Sequence, residues 1–469
     1  MLVEAYHLPD LEVEAVEGWT TRESRDGTVT LRFPVLGAGA VTRICDRLAA
    51  SRAAYLAELP VRTIVDRIDA AAARLGDATD PLRRLADTAL PVVTGYSVPM
   101  IEHVLERSIS DWRAPALVAL LHAELPHAEA LDRFVARPGS PALTRGSGPR
   151  LAYHVFSGNV PGVAVTSIVR SLLVKAATLG KTAAGEPLLP VLFARALAEI
   201  DARLGACLAV GYWPGGDVIE DEALRAADTV IAYGGRRAID SLRSRVPAET
   251  RLVEHGPRIS FGLIGRDVLA DEESAAATAR AVARATATFD QQGCVSPHFA
   301  YVEIGAPVSP ADLARRIAAE LERLEHTLPR AALEPAEAAA IHDARTTAEF
   351  RGIAGEAVEV FAARKGTGYT VIVEPRLEFQ PSCLNRVLYI KPIENLDAIP
   401  DLVAPHRDFL QTVAIAGAAD RLEPLAARLA QAGAARITSF EAMPWPPPEW
   451  HHDGRGPLNE LLRWVDLEL

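Results

Sequence analysis

Hydrophobic positions recur at helical spacing through most of the first 150 residues. Ala-rich amphipathic stretches at 41–59, 63–75 and 115–125 predict helices, and an alternating apolar–polar stretch at 28–36 predicts a strand. The segment 137–150 is rich in Pro, Gly and Ser and reads as a linker or an arm. From residue 151 the pattern changes. Strands are predicted at 151–156, 206–212 and 229–233, with a short extended piece at 178–181, and helices at 163–173, 188–204 and 221–227. Such strand–turn–helix repetition implies a parallel sheet covered by helices. A second block of the same kind follows. Its strands are predicted at 251–253, 259–264, 299–303, 358–363, 369–373 and 386–390, and its helices at 272–288 and 310–325. Ser309 and Pro310 suit the N-cap and first position of the last helix.

Composition narrows the class of protein. At roughly 150 residues per domain, a chain of 469 residues holds several domains. An apolar fraction of 49% and a charged fraction of 23% suit a soluble globular protein. The formal net charge of −12 argues against a nucleic-acid binder, which needs a basic face. The longest run without charged side chains, 151–169, contains His154, Ser157, Asn159, Pro161 and two glycines, so it is a poor membrane span. The N-terminus has no basic region followed by an apolar run, so no signal peptide is read and a cytoplasmic location is expected. Cys45, Cys207, Cys294 and Cys383 form no CxxC pair, which disfavours a disulfide framework and a zinc ribbon; no metal is expected.

Four groups of residues carry candidate chemistry. Cys294 ends the polar turn DQQGC at 290–294, between a predicted helix and a strand, where a thiolate nucleophile would be reachable. The alternative is a small buried hydrophobe, the reading that suits Cys45 and Cys207. Asn159 lies between a strand and a helix, as an oxyanion-binding amide or as a helix cap. Gly211, Gly215, Gly216, Gly234 and Gly235 sit at or after strand ends, where backbone approaches a cofactor diphosphate; tight turns explain them equally well, and no GxGxxG follows a strand. Glu254 and His255 end another strand, as acid–base groups or as polar surface.

Taken in order, FSGNVPG at 156–162, GKT at 180–182, IAYGG at 231–235, EHG at 254–256, DQQGCVSP at 290–297 and HDG at 452–454 resemble the acyl-CoA reductase (LuxC) family of the aldehyde dehydrogenase superfamily. The resemblance runs from about residue 60 to the C-terminus. It implies an α/β, aldehyde dehydrogenase-like fold: a doubly wound cofactor domain, a second α/β catalytic domain and a small oligomerisation element. The corresponding divisions are residues 1–254, with 131–150 as an oligomerisation arm, 255–435 around the nucleophilic Cys, and 436–469 as a C-terminal return. By the same resemblance Cys294 is the nucleophile and Asn159 the oxyanion amide. Lys181 contacts the adenosine ribose, and Gly234 and Gly235 face the cofactor diphosphate. Glu254 takes the place of the general base, but His255-Gly256-Pro257 departs from the usual glycine pair, so His255 is the alternative.

The expected function is NADPH-dependent reduction of an activated acyl group, as acyl-CoA, acyl-carrier thioester or acyl-adenylate, to an aldehyde through a thioester on Cys294. NADH is the alternative cofactor. Ala184 replaces the carboxylate that would repel a 2′-phosphate, and Arg236 and Arg237 follow the glycine turn, as phosphate partners or a solvated helix start. The rival readings are an oxidative aldehyde dehydrogenase using Glu254, and a silent scaffold docking an acyl-activating enzyme or carrier protein. A homo-oligomer is expected, with no nucleic-acid partner, and a site in the crevice between the two large domains.

Overall fold

The computed structural model describes residues 1–10 and 15–468. The chain forms two compact units, Met1–Gly256 with Pro447–Leu469, and Pro257–Pro446.

In the first unit β1 (Leu2–Glu4), β2 (Val16–Glu23) and β3 (Thr30–Leu36) form a three-stranded sheet. The predicted helix at 41–59 is Ala40–Ser51 continued by a wider turn at Arg52–Leu56, and helices Val61–Gly76, Pro81–Thr94, Val98–Asp111 and Ala114–Glu124 follow. Each of these four carries a proline at its cap or within the first helical positions, where a missing N–H costs nothing. The segment predicted as an arm supplies β4 (Val135–Ala136) and β5 (Leu143–Ser147). The last strand of the chain, Arg463–Leu467, pairs antiparallel with β5; Leu469, included in the predicted C-terminal segment, lies outside the described residues. The return segment is anchored by the buried Glu124, whose carboxylate accepts the Leu458 and Asn459 backbone N–H groups.

The central sheet comprises β6 (Leu151–Val155), β7 (Ala177–Lys181), β8 (Leu208–Gly211), β9 (Thr229–Tyr233) and β10 (Arg251–His255). Its order is β10-β9-β6-β7-β8, and every pairing is parallel. The chain starts at the centre, winds outward through β7 and β8, then returns to the other side of β6 through β9. The order therefore reverses between β6 and β9, where doubly wound sheets open a crevice at the carboxyl ends of their strands. Both faces are covered, so the strands are almost wholly buried.

The second unit is a seven-stranded sheet. Its strands are β11 (Ile259–Ile264), β12 (Pro297–Glu303), β13 (Glu359–Ala362), β14 (Thr370–Val373), β15 (Val387–Ile393), β16 (Leu410–Ala416) and β17 (Arg436–Thr438). They run in the order β13-β14-β15-β12-β11-β16-β17, antiparallel only between β13 and β14. Helix Glu272–Ala287 lies against Pro310–Thr327 through a seam of alanines, and Ser309 caps the latter by accepting the Asp312 N–H. Helices Pro335–Ile353 and Leu422–Ala432 and strand β16 were not apparent in the sequence pattern. Gly262 on β11 is required by contact: a Cβ there would lie 2.2 Å from the Phe440 ring. Among the described residues no helix is long and apolar enough to cross a membrane.

Candidate active site

The parallel register aligns the candidate residues of the first unit. Val155 pairs with Lys181, Lys181 with Gly211, Val155 with Ala232 and Tyr233 with His255. Lys181, Gly211, Gly234, Gly235 and His255 therefore share one carboxyl edge with the 156–162 loop. That loop and the Gly234–Gly235 turn follow β6 and β9, the two strands at the reversal.

Asn159 is exposed within its loop, and its backbone carbonyl accepts the Tyr96 hydroxyl at 2.7 Å. It is not the cap of the following helix. Gly162 holds that position at φ 96, a left-handed value that a side chain resists. The loop is packed too closely for larger residues, since a Cβ on Gly158 would fall 2.9 Å from the Glu186 nitrogen.

Lys181 is nearly buried, and its ammonium lies 2.5 Å from Glu220 Oε1. The other Glu220 oxygen accepts the Gly216 N–H at 2.7 Å and also pairs with Arg245. This buried carboxylate between two cations was not identified from the sequence, because Glu220 is far along the chain from Lys181 and lies in an ordinary helical stretch. Gly215 approaches the Lys181 ammonium, at 3.3 Å from a notional Cβ. Gly235 opens helix Arg236–Arg243, and a Cβ there would meet nothing within 4 Å. Open backbone at a helix N-terminus on the carboxyl edge of the sheet is able to receive an anion. Arg236 is 74% exposed and lies 3.9 Å from Asp240.

β-strand alternation separates the two acid–base candidates. Val253 and His255 are buried on one face of the strand, while Leu252, packed against the core, and the less buried Glu254 lie on the other. Glu254 is held by Arg243 through two contacts of 2.6 and 2.8 Å. His255 is buried, with Nδ1 at 2.8 Å from Asp453 Oδ2.

In the second unit Cys294 lies in the turn that leads into β12, half-buried. Cys45 and Cys207 are buried, and burial pushes both thiols up to about 12; they have no access for nucleophilic work. The Cys294 carbonyl accepts the Ser260 hydroxyl at 2.7 Å, and the Ser260 oxygen also accepts the Thr412 N–H.

The turn is held by an unusual clasp. Phe289, Asp290 and Gln291 all have left-handed backbone, at φ 55, 49 and 67, and so do Leu384, Asn385 and Arg386, at 65, 55 and 64. Such residues cost about 1 kcal/mol or more each. The two stretches hold each other. The fully buried Arg386 guanidinium lies 2.7 Å from Asp290 Oδ1 and also donates to Glu325 and the Leu328 carbonyl. Burial pushes the Asp290 carboxyl up, and Arg386 opposes that shift. The Gln291 amide receives the Val387 N–H at 2.9 Å and donates to the Val387 and Pro297 carbonyls at 2.9 and 2.6 Å. In DQQGC, therefore, Asp290 and Gln291 are scaffold for the thiol.

The chain has the fold of the aldehyde dehydrogenases. It superimposes on NADP-dependent glyceraldehyde-3-phosphate dehydrogenase from Bacillus halodurans C-125 with a TM-score of 0.74 at 15% identity, covering 97% of this chain and 96% of that one. The NAD-dependent benzaldehyde dehydrogenase from Corynebacterium glutamicum gives 0.73 at 14%, covering 96% and 95%. Sequence then places it within that class. Residues 56–464 match the acyl-CoA reductase (LuxC) family, and the chain belongs to that family. It is similar to long-chain acyl-protein thioester reductases of Vibrio harveyi, 25% identical over 88% of this chain and 84% of that protein, and of Photorhabdus luminescens, 26% identical over 94% and 88%. The protein is thus an oxidoreductase of a family that carries out reductive acyl-to-aldehyde chemistry.

Two outcomes follow from these contacts. Arg386→Met leaves the Asp290 carboxylate buried without its cation and should lower the unfolding free energy by about 3–5 kcal/mol, measured by urea denaturation; Asp290→Asn, which keeps an acceptor, should cost less. Burial raises the Glu186 carboxyl to about 7, although it accepts the Leu188 and Leu189 N–H groups. The folded chain then binds a proton that the unfolded chain has lost. Stability conferred by this group is full at low pH and falls by about 1.4 kcal/mol per pH unit as pH rises from the ordinary carboxyl value to about 7. Denaturation midpoints of Glu186→Gln relative to wild type should shift in favour of the variant over that window and level off above it.

Proposed function

We propose that the protein reduces an activated long-chain or related acyl group to its aldehyde, with NADPH, through a thioester on Cys294. The clasp carries this reading. Two left-handed stretches and a buried ion pair fix the turn of the half-buried Cys294, while Cys45 and Cys207 are sealed and burial also pushes up the thiol of the half-buried Cys383. A merely structural cysteine needs no such support.

The steps assigned to the protein are these. The Cys294 thiolate attacks the carbonyl of the acyl donor, and its own N–H and the Asn159 amide stabilise the oxyanion, an effect of about 3 kcal/mol for one donor in comparable sites. The donor's leaving group departs, and Cys294 retains the acyl group. A bound reduced dinucleotide supplies a hydride. Once the carbonyl carbon is reduced, the C–S bond breaks, the aldehyde leaves and the thiolate is restored. Lys181 and the Gly234–Gly235 backbone are assigned to hold the dinucleotide. Ala184 and the exposed Arg236 and Arg237 favour a 2′-phosphate, with NADH as the alternative. The donor is an acyl-CoA or an acyl group on a carrier or acyl-activating enzyme, and a homo-oligomer built through β5 and the last strand is the proposed assembly.

Hydrolytic, oxidative turnover needs a base to activate water. Glu254, committed to Arg243, is poorly suited to that role, which favours the reductive direction.

The test uses a labelled acyl donor with and without NADPH. Wild type should acquire one acyl group without NADPH and release aldehyde when NADPH is added. Cys294→Ala should lose labelling and at least a thousandfold in turnover while still binding NADPH. Labelling of Cys294→Ala, or steady acid formation from aldehyde and NADP by wild type, would refute the assignment.

A further inference from the structure

Strand β11 meets an irregularity on both of its edges, and one side chain fills the gap. Against β12, Ser260 pairs with Pro297 and Gly262 with Ala300, so two steps along β11 face three along β12. Against β16, Ile259 pairs with Leu410 and Phe261 with Val413, again two steps against three. Each neighbouring strand thus gains a residue beside Ser260. Such a bulge leaves backbone groups without ladder partners, and in a buried sheet they must find others. Pro297, opposite Ser260, has no N–H to give. The wholly buried Ser260 hydroxyl bridges the gap. It accepts the Thr412 N–H of β16 at 3.0 Å and donates to the Cys294 carbonyl at 2.7 Å.

The Cys294 end of this bridge bears on the chemistry. Cys294 lies ahead of β12, in a turn closed by the Ser296 N–H on the Gly293 carbonyl at 2.9 Å. Cys294 and Val295 are its two central residues. A turn of this kind bonds its outer groups and leaves its central peptide, here the one joining Cys294 to Val295, without a bond from within the turn. Ser260 supplies that bond from another strand. The hydroxyls of Ser296 and Thr412 do not share the task, since both are buried and make no hydrogen bond. The clasp through Asp290 and Gln291 holds the chain before the thiol, and Ser260 holds it after.

We propose that Ser260 is a positioning residue for Cys294: its hydroxyl locks the central peptide of the turn and so fixes where the thiol points. This rests on Cys294 being the acyl acceptor. Ser260 is sealed from solvent, so it acts through the backbone and not on the acyl group. Rotation of a free central peptide re-aims the residue before it. Attack on a carbonyl needs the sulfur close and well directed, so that freedom costs rate. A reagent that can meet sulfur from many directions is indifferent to it.

That difference provides the test. Reaction at Cys294 is read by peptide mass after rapid quench, with a long-chain acyl-CoA and, separately, with iodoacetamide. Alkylation needs only a reachable thiolate. Ser260→Ala should slow acylation by about thirty- to a hundredfold and alkylation by less than about threefold, with an unchanged pH profile for alkylation. Ser260→Thr keeps the hydroxyl, and Ser260→Val matches it in shape without one. Ser260→Thr should acylate at least about tenfold faster than Ser260→Val, and this pair carries the comparison if Ser260→Ala does not fold. Equal slowing of both reactions, no slowing of acylation, or equal acylation of Ser260→Thr and Ser260→Val would overturn the proposal. A hydroxyl needed for folding alone would lower the denaturation midpoint and leave the ratio of the two rates unchanged, which would equally overturn it. If wild type is alkylated at Cys294 but takes up no acyl group, the failure lies with the role of Cys294 and is recognisable as such.

Discussion

The ion pair between Arg386 and Asp290 is the contact on which the turn before Cys294 depends. Neither charge reaches solvent. Each alone would be costly at that depth, and together they hold two left-handed backbone stretches against each other. The Gln291 amide completes the arrangement by joining β15 at both its N–H and its C=O. A turn built this way has one conformation, so the thiol that follows it is presented in one direction. Reaction at a carbonyl tolerates little angular error, and rigidity of the supporting turn is the physical route to that accuracy.

The first unit solves a different problem with different means. A parallel sheet wound from its centre leaves a gap at the reversal between β6 and β9, and register alone brings residues from all five strands to that edge. No side chain has to search for its position. Polar groups there are paired in advance: Lys181 with Glu220, Tyr233 with the Ser167 hydroxyl, His255 with Asp453. Buried His154 is held between Ser167 and Ser171, and burial lowers it to about 3, so it stays neutral and structural. Charge that a ligand must displace or share is therefore stored in the resting protein and not gathered on binding.

Local patterning made much of this legible. The β6 strand, its turn and the helix after it were evident because apolar runs of strand length were punctuated by Gly and Pro. The polar context of Cys294 distinguished it from Cys45 and Cys207, whose apolar neighbours foretold burial. Helix Pro335–Ile353 was missed because its apolar residues are few and only Ile341 and Ala348 reach the core. Strand β16 was missed because it is buried on both faces, so its sequence carries no two-residue alternation to mark a strand.

The sequence alone determined the fold class and the order of the candidate residues, since each is written in local composition and spacing. Tertiary structure alone decided the rest. It paired Lys181 with Glu220, Asp290 with Arg386 and His255 with Asp453, and it joined Glu254 to Arg243. These facts concern residues brought together from distant parts of the chain, and no local pattern records a neighbour that only folding supplies.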